Sequence, residues 1–219
     1  EPVPPEPPVP PEPLSITWAR VETTHDLPPA PPPDGTWRIH MIDVGTGLAI
    51  LVQGADFALL FDAGSNDPGE KPLRVVAYLS AALGPSGDEQ CTTSGAPTGT
   101  RRTIDHVILS HPHLDHASAL DLVLHCYDVR HVWDAGAVND AVFYRDFLTA
   151  VSEEPGVTYH TAAPPPDDRT IHVKGFGVTM PPAVGWQMFS EGDEMALGAA
   201  ARFTLLHAEG KRQIGRAHV

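Results

Sequence analysis

Three histidines and one aspartate fall within a single six-residue stretch, His111-Pro112-His113-Leu114-Asp115-His116. Imidazole nitrogens and carboxylate oxygens are the ligands that zinc and similar divalent ions prefer. His111 and His113 flank a proline with a fixed φ, so both rings can point the same way and hold one ion. Asp115 and His116 lie one step further on and can reach a second ion. We therefore predict a site for one or two metal ions, a hypothesis that needs a suitable structural context.

A predicted strand precedes the motif and a predicted helix follows it, which is the structural context that a metal site on a loop requires. A single histidine is usually structural or simply exposed, but four potential ligands in six residues are not explained in that way. An apolar run over residues 104–110 precedes the motif and predicts a buried strand. An Ala- and Leu-rich segment over residues 117–126 follows it and predicts a helix. Side chains on a loop that leaves a strand usually project into a cleft, so strand, loop and helix together favour metal binding.

The other predicted elements are a block of strands followed by alternating strands and helices. The predicted strands cover residues 37–42, 48–53, 57–61, 104–110, 129–133, 157–160, 171–174 and 203–207. The predicted helices cover residues 71–83, 117–126 and 140–151, and residues 84–102 are a long loop. This order indicates a layered α/β or α+β fold in which helices flank a sheet.

Length and composition limit the classes of function. The 219 residues have room for one good-sized domain, and a hydrophobic content of 42% is enough for a real core. The chain has no apolar run of about 18 residues, so we expect no transmembrane segment. The net charge of −14 argues against a broad basic surface for nucleic acid. A nucleic-acid partner is therefore disfavoured but stays possible, while a small-molecule substrate and the oligomeric state stay open.

The N-terminal segment has the composition of a spacer. Residues 1–33 contain 13 of the 24 prolines, which predicts an extended, polyproline-like tether with the globular part starting near Asp34. A ligand for a proline-binding domain is the alternative, and residues 14–21 alternate well enough for a short strand. Cys91 and Cys126 could form one disulfide or remain two unrelated thiols. The tether and a disulfide would favour a position outside the bacterial cytoplasm, exported or tethered to a membrane, but the compartment stays open.

The motif resembles a known superfamily. Asp62 at the end of a predicted strand, followed about fifty residues later by His111-x-His113-x-Asp115-His116, resembles the metallo-β-lactamase superfamily. The stretch MIDVGTGLAILV over residues 41–52 resembles the opening of its ComEC-like branch, the hydrolase domain associated with DNA uptake. Three positions depart from that branch. Thr46 stands where the branch usually has glutamine, and Leu48 where it often has an acidic residue. Ala63 replaces a common glycine. These departures leave the substrate open.

The resemblance implies a four-layer αββα sandwich with the metal site along the edge between its two sheets. It implies that His111 and His113 bind the first zinc ion, and that Asp115 and His116 belong to the second. Manganese and iron stay open as alternatives. Asp115 would also contact the attacking water or the leaving group, which makes it the candidate catalytic residue. Asp62 and Asp43 would orient ligands through hydrogen bonds without binding metal themselves.

A full ligand set of this superfamily also draws on its second half, where the sequence offers little. His160, His172 and His207 lack a recognisable context, and Gly192-Asp193 predicts a charged turn. Residues 214–219 match a translated sequencing adaptor, so we expect a non-native read-through tail, with residues 34–213 forming the N-terminal portion of the domain. On that expectation the chain contains the first half of the sandwich and part of the second. An exposed apolar face is then predicted, and the chain by itself is expected to be inactive.

The function that the resemblance implies is hydrolysis of a phosphodiester by a metal-activated water. Arg101, Arg102 and Lys174 are the few cations that could meet a phosphate, although the arginine pair is more typical of a solvated loop. Two alternatives stay open. One is a non-catalytic metal-binding or interaction module on the proline-rich tether, and the other is an esterase or lactonase of the same fold.

Overall fold

Eleven short strands and four α-helices form the described part of the chain, residues 15–28, 30–65, 73–92 and 97–206 of a computed structural model. The strands are β1 (Arg38–Met41), β2 (Ile50–Gln53), β3 (Ala58–Phe61), β4 (Arg102–Leu109), β5 (Tyr127–Asp134), β6 (Thr158–Thr161), β7 (Thr170–Val173), β8 (Phe176–Thr179), β9 (Gly185–Met188), β10 (Glu194–Leu197) and β11 (Ala201–Thr204). The helices are α1 (Arg74–Leu83), α2 (Leu114–Ala117), α3 (Leu120–Cys126) and α4 (Val142–Glu153).

Seven of the strands form one mixed sheet in the order β1-β2-β3-β4-β5-β6-β9. The first three strands are antiparallel neighbours, as the predicted hairpin requires, and the remaining pairs are all parallel. The carboxyl ends of parallel strands lie at the same edge of a sheet. The ends of β3, β4 and β5 are therefore brought together. The expected α/β class is confirmed, and the mostly parallel sheet is consistent with part of an αββα sandwich.

Helices α1, α3 and α4 cover one face of this sheet. Each buries an apolar stripe at helical spacing, which is the pattern of a helix packed on a core. The buried helical residues are Val75, Val76 and Leu79 of α1, Leu120, Val123 and Leu124 of α3, and Tyr144, Phe147, Leu148 and Val151 of α4. They join Leu51, Leu60 and Val107 of the sheet in the main hydrophobic core.

The opposite face of the sheet is covered only in part. The β10–β11 hairpin packs Leu197 against Phe57 and Leu59 in a small second core. Toward β1 the face is open, since Ile39 and Met41 are 69% and 68% exposed. An exposed apolar face of the kind expected from the sequence is therefore present. Among the described residues, no helix combines the length and apolarity needed to cross a membrane.

Most predicted elements are present within a few residues of their predicted ranges, but the helix predicted over residues 117–126 is divided. It forms α2 and α3, separated by Ser118 and Ala119. The Ser118 hydroxyl donates to the Ser65 carbonyl at 2.8 Å and accepts from the Ser65 N–H at 2.8 Å, and the Ala119 N–H donates to the Ala63 carbonyl at 2.9 Å. These bonds tie the chain to the segment after β3 and interrupt the helix.

Other predictions at the level of single elements were wrong or lie outside the described residues. Residues 15–21 form no strand. Strands β8, β9 and β10 were missed because most of their residues are at least partly exposed, which weakens the alternation that predicts a strand. Residues 1–14, 207 and 214–219 lie outside the described part of the chain, so the last candidate histidine and the tail stay predictions. Of the predicted tether, residues 15–28 and 30–33 are described and contain one short 3₁₀ helix, Thr24–Asp26, with Leu27 buried after it. The tether role itself stays a prediction.

A disulfide joins the loop after α1 to the end of α3. Cys91 and Cys126 are the only cysteines of the chain, and their Cα atoms are 5.5 Å apart in the bridged pair. Both side chains are fully buried. Of the two alternatives left open by the sequence, the structure therefore contains the disulfide.

Three histidines on neighbouring strands form a stacked cluster on the partly covered face. His131 Nδ1 lies 3.0 Å from His160 Nε2, and Trp133 Nε1 donates to His106 Nδ1 at 3.3 Å. The Trp133 ring stacks on His160 with centroids 3.8 Å apart. Burial, followed by the neighbouring imidazoles, lowers the pKa of His106 to about 4 and that of His160 to about 3. The cluster is therefore neutral near pH 7.

We expect this cluster to make the fold sensitive to mild acid. A histidine in the unfolded chain has a pKa of about 6.5. Below that pH the unfolded chain therefore takes up protons, whereas the folded cluster stays neutral. The stability is complete above pH 6.5 and is lost as the pH falls toward 4. At pH 5 the free energy of unfolding should be lower by roughly 2 kcal/mol for each of His106 and His160. Urea unfolding at pH 7 and pH 5 measures this loss. His160→Phe keeps a ring on Trp133 and should reduce the loss, whereas an unchanged loss would contradict the assignment.

Candidate metal centre

A buried carboxylate, Asp62, holds the motif from the end of the neighbouring strand. Phe61 of β3 pairs with Ile108 of β4, so the residues that follow the two parallel strands meet at one sheet edge. Asp62 is fully buried, and its Oδ1 accepts from the Ser110 N–H at 2.7 Å while Oδ2 accepts from the Ser110 hydroxyl at 2.6 Å. The same Oδ2 lies 2.7 Å from His116 Nδ1. This contact orients the His116 ring and leaves Nε2 available as a ligand atom.

Asp62 also has an unusual backbone conformation. Its φ of 57° places it in the left-handed region, which few residues other than glycine adopt. Aspartate tolerates this region better than most residues, and such conformations persist when the surroundings determine them strongly. Here the three hydrogen bonds of the carboxylate supply that constraint. The conformation agrees with the orienting role expected of Asp62.

The three motif histidines pack ring against ring. The centroid of His111 is 4.0 Å from that of His116 and 4.5 Å from that of His113. The Ser110 hydroxyl oxygen lies 3.0 Å from His111 Nδ1, which leaves Nε2 of that ring available. Burial, followed by the neighbouring His116 and His113, lowers the pKa of His111. Because a neutral imidazole is the form that binds metal, His111 is in the right protonation state at neutral pH.

Asp115 and His116 have nearly the spacing of two ligands on one ion. Asp115 Oδ2 lies 3.6 Å from His116 Nε2. On a tetrahedral zinc ion with bonds near 2.0–2.1 Å, two such atoms stand about 3.3 Å apart. Within the described residues, the motif contributes no set of three ligand atoms that all lie within 4.8 Å of one another. The donor chemistry fits a zinc ion, and the spacing of Asp115 and His116 is close to that of two ligands on one ion.

Two glycines allow the main chain to approach the motif closely. The Leu48 N–H donates to the Asp115 carbonyl at 3.0 Å. A Cβ at Gly64 would lie 1.6 Å from the Asp115 carbonyl oxygen, and one at Gly47 would lie 2.7 Å from it. The turn after β1 and the segment after β3 therefore position Asp115 through backbone contacts, and neither glycine can carry a side chain without moving the motif.

The segment between β5 and α4 borders the motif on another side. Asn139 Nδ2 donates to the Pro112 carbonyl. At the start of this segment Asp134 is fully buried, and its Oδ2 accepts from the hydroxyls of Tyr144 and Tyr159, each at 2.7 Å. Desolvation raises the pKa of Asp134. The segment is thus anchored at the end of β5 and reaches the motif through its asparagine.

Three residues of the site were missed in the sequence: Ser110, Gly64 and Asn139. Ser110 could have been noticed, because a hydroxyl directly before His111 at a strand end can reach the motif rings. Gly64 and Asn139 gave no comparable signal, since their contacts join segments that are distant in the chain.

Asp43 occupies a different position from the one expected. Its side chain is exposed, and Oδ1 accepts from the Gly45 N–H at 3.1 Å in the turn after β1. The structure does not bring it into hydrogen-bond contact with a motif side chain among the described residues. The orienting role of Asp43 stays a prediction, whereas that of Asp62 has the contacts described above.

Arg101 has a structural role and belongs neither to a solvated loop nor to a phosphate site. Its guanidinium pairs with Glu154 at 2.6 Å and Asp128 at 3.1 Å, and it donates to the carbonyls of Leu124 and Tyr127. It stands just before β4, and the eight residues of that strand separate it from the motif by roughly 25 Å. The arginine pair thus lies at the wrong end of the strand to meet a substrate.

The late candidate ligands are not gathered at the motif. His160 belongs to the stacked cluster on the partly covered face. Gly192-Asp193 forms a turn, as predicted, in which Asp193 Oδ2 accepts from the Ser190 N–H at 2.7 Å. His172 lies on β7, in the small hairpin with β8.

A second group of possible ligands lies away from the motif. Single ligand atoms of Asp88, Cys91 and His125 all fall within 4.8 Å of one another. Cys91 is bonded to Cys126 in the structure, so this group holds a disulfide sulfur and no thiolate.

Comparison with known proteins adds to this geometry. The family model described as the metallo-beta-lactamase superfamily matches residues 42–182, which include Asp62 and the whole motif. A relative from Escherichia coli (strain K12), described as "Uncharacterized protein YcaI", is 32% identical over 114 residues, or 50% of this chain. The chain spans only 12% of the length of that relative.

Proposed function

Since the chain belongs to the metallo-β-lactamase superfamily, we propose that the protein is a metal-dependent hydrolase that acts at the motif between β4 and α3. The observation that carries this proposal is the arrangement of the Asp115–His116 pair. The two ligand atoms lie 3.6 Å apart, and the buried Asp62 holds the other nitrogen of the His116 ring. Metal-ligating histidines usually donate their other ring N–H to a carboxylate in this way.

Each residue of the motif has a part in this proposal. A bound zinc ion would lower the pKa of water toward ~7 and so supply hydroxide at neutral pH. The Asp62 carboxylate accepts a hydrogen bond from the Nδ1–H of His116, and the Ser110 hydroxyl occupies Nδ1 of His111, which leaves both Nε2 atoms available as ligand atoms. The Asp115 side chain is half exposed, so a carboxylate oxygen can reach the attacking water or the leaving group as well as an ion.

For the substrate we propose a phosphodiester, in keeping with the resemblance of residues 41–52 to the ComEC-like branch. A cation beside the turn after β1 supports this choice. A Cβ at Gly45 would lie 3.8 Å from Nη1 of Arg74, so the guanidinium stands beside the turn that leads to Gly47. Lys174 is a second candidate. Its backbone N–H donates to Asp140 Oδ1 at 2.7 Å, and Asp140 follows Asn139 on the segment between β5 and α4.

We expect Arg74→Ala to raise the KM for a phosphodiester by roughly 10- to 30-fold, with a smaller change in kcat, because a hydrogen bond to a charged group contributes about 1.5–2 kcal/mol. The KM for a neutral ester should stay the same. Steady-state kinetics on both substrates measures the difference. Arg20→Ala removes an equal charge from an exposed N-terminal position and should leave both KM values unchanged. Equal losses on the two substrates would contradict a phosphate contact at Arg74.

The test of the function is an assay of the zinc-loaded protein, expressed as the complete gene product, and of its Asp115→Asn variant. The substrates are a bis-nitrophenyl phosphate, a nitrophenyl acetate and a lactone. The proposal expects phosphodiester turnover that the variant loses by 100-fold or more while it still binds zinc through the histidines. Turnover of the acetate or lactone alone would point to an esterase or lactonase. Zinc binding at the motif without turnover of any substrate would point to the non-catalytic module.

A further inference from the structure

Four potential metal ligands meet where the loop after α1 contacts the end of α3. His125 Nε2 lies 2.8 Å from Asp88 Oδ2, and Cys91 Sγ lies 3.4 Å from Asp88 Oδ1. Cys126 follows His125 in the chain and is bonded to Cys91. Both sulfurs are buried, while the side chains of Asp88 and His125 are 43% and 51% exposed. The group is therefore closed on the sulfur side and open to solvent on the carboxylate and imidazole side.

The disulfide prevents this group from binding a metal. The sulfur species that binds a metal is the thiolate, and neither cysteine can provide one while the two are bonded. The carboxylate and imidazole that remain are hydrogen-bonded to each other. The hydrogen bond from His125, together with one from the Gln90 N–H, lowers the pKa of Asp88.

We propose that reduction of the Cys91–Cys126 disulfide converts this group into a zinc site held by Cys91, Cys126, His125 and Asp88. A dithiol reductant supplies two electrons and two protons, so that the S–S bond breaks and two thiols form. When the ion binds, the two thiol protons are released and the sulfurs become thiolate ligands.

One spacing in the group already fits such an ion. With Zn–S near 2.3 Å and Zn–O near 2.0 Å, a sulfur and an oxygen on one tetrahedral zinc stand about 3.5 Å apart. The 3.4 Å between Cys91 Sγ and Asp88 Oδ1 is close to that value. Two thiolates with one imidazole and one carboxylate favour zinc over harder ions such as magnesium or calcium.

The site would be separate from the motif and would serve a structural purpose. The seven residues of α3 span roughly 10 Å, and the motif lies before their first turn while the sulfur group lies at their last. In the oxidised protein the disulfide fastens the loop to α3, and in the reduced protein the zinc ion would do so. The loop would thus stay attached under either condition.

The test is a cobalt titration of the protein before and after reduction with a dithiol that is then removed under argon. Sulfur-to-cobalt charge-transfer absorption reports this group alone, because the chain contains two cysteines and the motif contains none. We expect one equivalent of cobalt with this absorption in the reduced protein and none in the oxidised protein. His111→Ala combined with His113→Ala should leave the absorption intact.

Substitutions at the two partly exposed residues test whether His125 and Asp88 are metal ligands. His125→Ala and Asp88→Asn leave the disulfide in place, and each should weaken cobalt binding at the sulfur group by tenfold or more. Zinc should displace the cobalt and raise the Tm of the reduced protein. Absence of sulfur absorption in the reduced protein, or affinity that is unchanged in both variants, would overturn the proposal.

Discussion

Replacing Asp62 with alanine is expected to weaken zinc binding at the motif by about 10- to 100-fold, the usual effect of removing a residue that orients a ligand. Without the carboxylate, the His116 ring loses the bond that directs Nε2 toward Asp115. The Ser110 N–H and hydroxyl lose their acceptor at the same time. Competition with a zinc chelator measures the change in affinity.

The same substitution should lower the free energy of unfolding by about 3 kcal/mol, since it removes buried hydrogen bonds to a charged group. Asp62→Asn separates the two effects. Asparagine tolerates the left-handed backbone and can accept from the Ser110 N–H, but its amide nitrogen cannot accept from His116. Asp62→Asn should therefore lose zinc affinity as Asp62→Ala does, with a smaller loss in the free energy of unfolding. Asp146→Ala removes a partly exposed carboxylate that pairs with Arg145, and it should change neither quantity. Wild-type zinc affinity in Asp62→Ala would contradict the orienting role.

Adding one methyl group at Gly64 is expected to disrupt the motif. The new Cβ would lie 1.6 Å from the Asp115 carbonyl oxygen and 2.8 Å from the His116 nitrogen, both backbone atoms that cannot rotate away. The segment after β3 or helix α2 must therefore move. We expect Gly64→Ala to lower the free energy of unfolding by about 3 kcal/mol or more, the upper range for overpacking, and to reduce zinc affinity by more than tenfold.

Gly156→Ala is the matched control, because it adds the same methyl group at a glycine with a φ of +75° and open space around it. It should lower the free energy of unfolding by only about 1 kcal/mol through backbone strain and leave zinc affinity unchanged. Thermal or urea unfolding and chelator competition compare the two variants. A Gly64→Ala protein with the stability and affinity of the control would show that the motif tolerates displacement.

The motif and its setting could be predicted because both depend on local sequence. Four ligand types in six residues, after an apolar run and before a helix, specify the chemistry and the strand–loop–helix context together. The layered sheet flanked by helices followed from alternating strands and helices in the same way. Asp62 was expected only through the resemblance, since nothing near it in the sequence indicates its contact with His116.

The remaining features depend on contacts between distant segments. The break between α2 and α3 arises because Ser118 bonds to Ser65, and no helix propensity reports that contact. Arg101 was expected in a solvated loop, but Glu154, which lies more than fifty residues later in the chain, holds it in place. The short strands after β7 are mostly exposed, so their residues lack the pattern of a buried strand.

The most direct test of the metal centre is X-ray absorption at the zinc edge on the oxidised, zinc-loaded protein. Oxidation keeps both sulfurs in the disulfide, so any bound zinc reports on the motif. We predict a first shell of nitrogen and oxygen atoms with the outer scattering of imidazole, and loss of the bound zinc when His111 and His113 are both replaced by alanine. Zinc that is not retained by the wild type, or a shell that is unchanged in the double variant, would contradict the assignment.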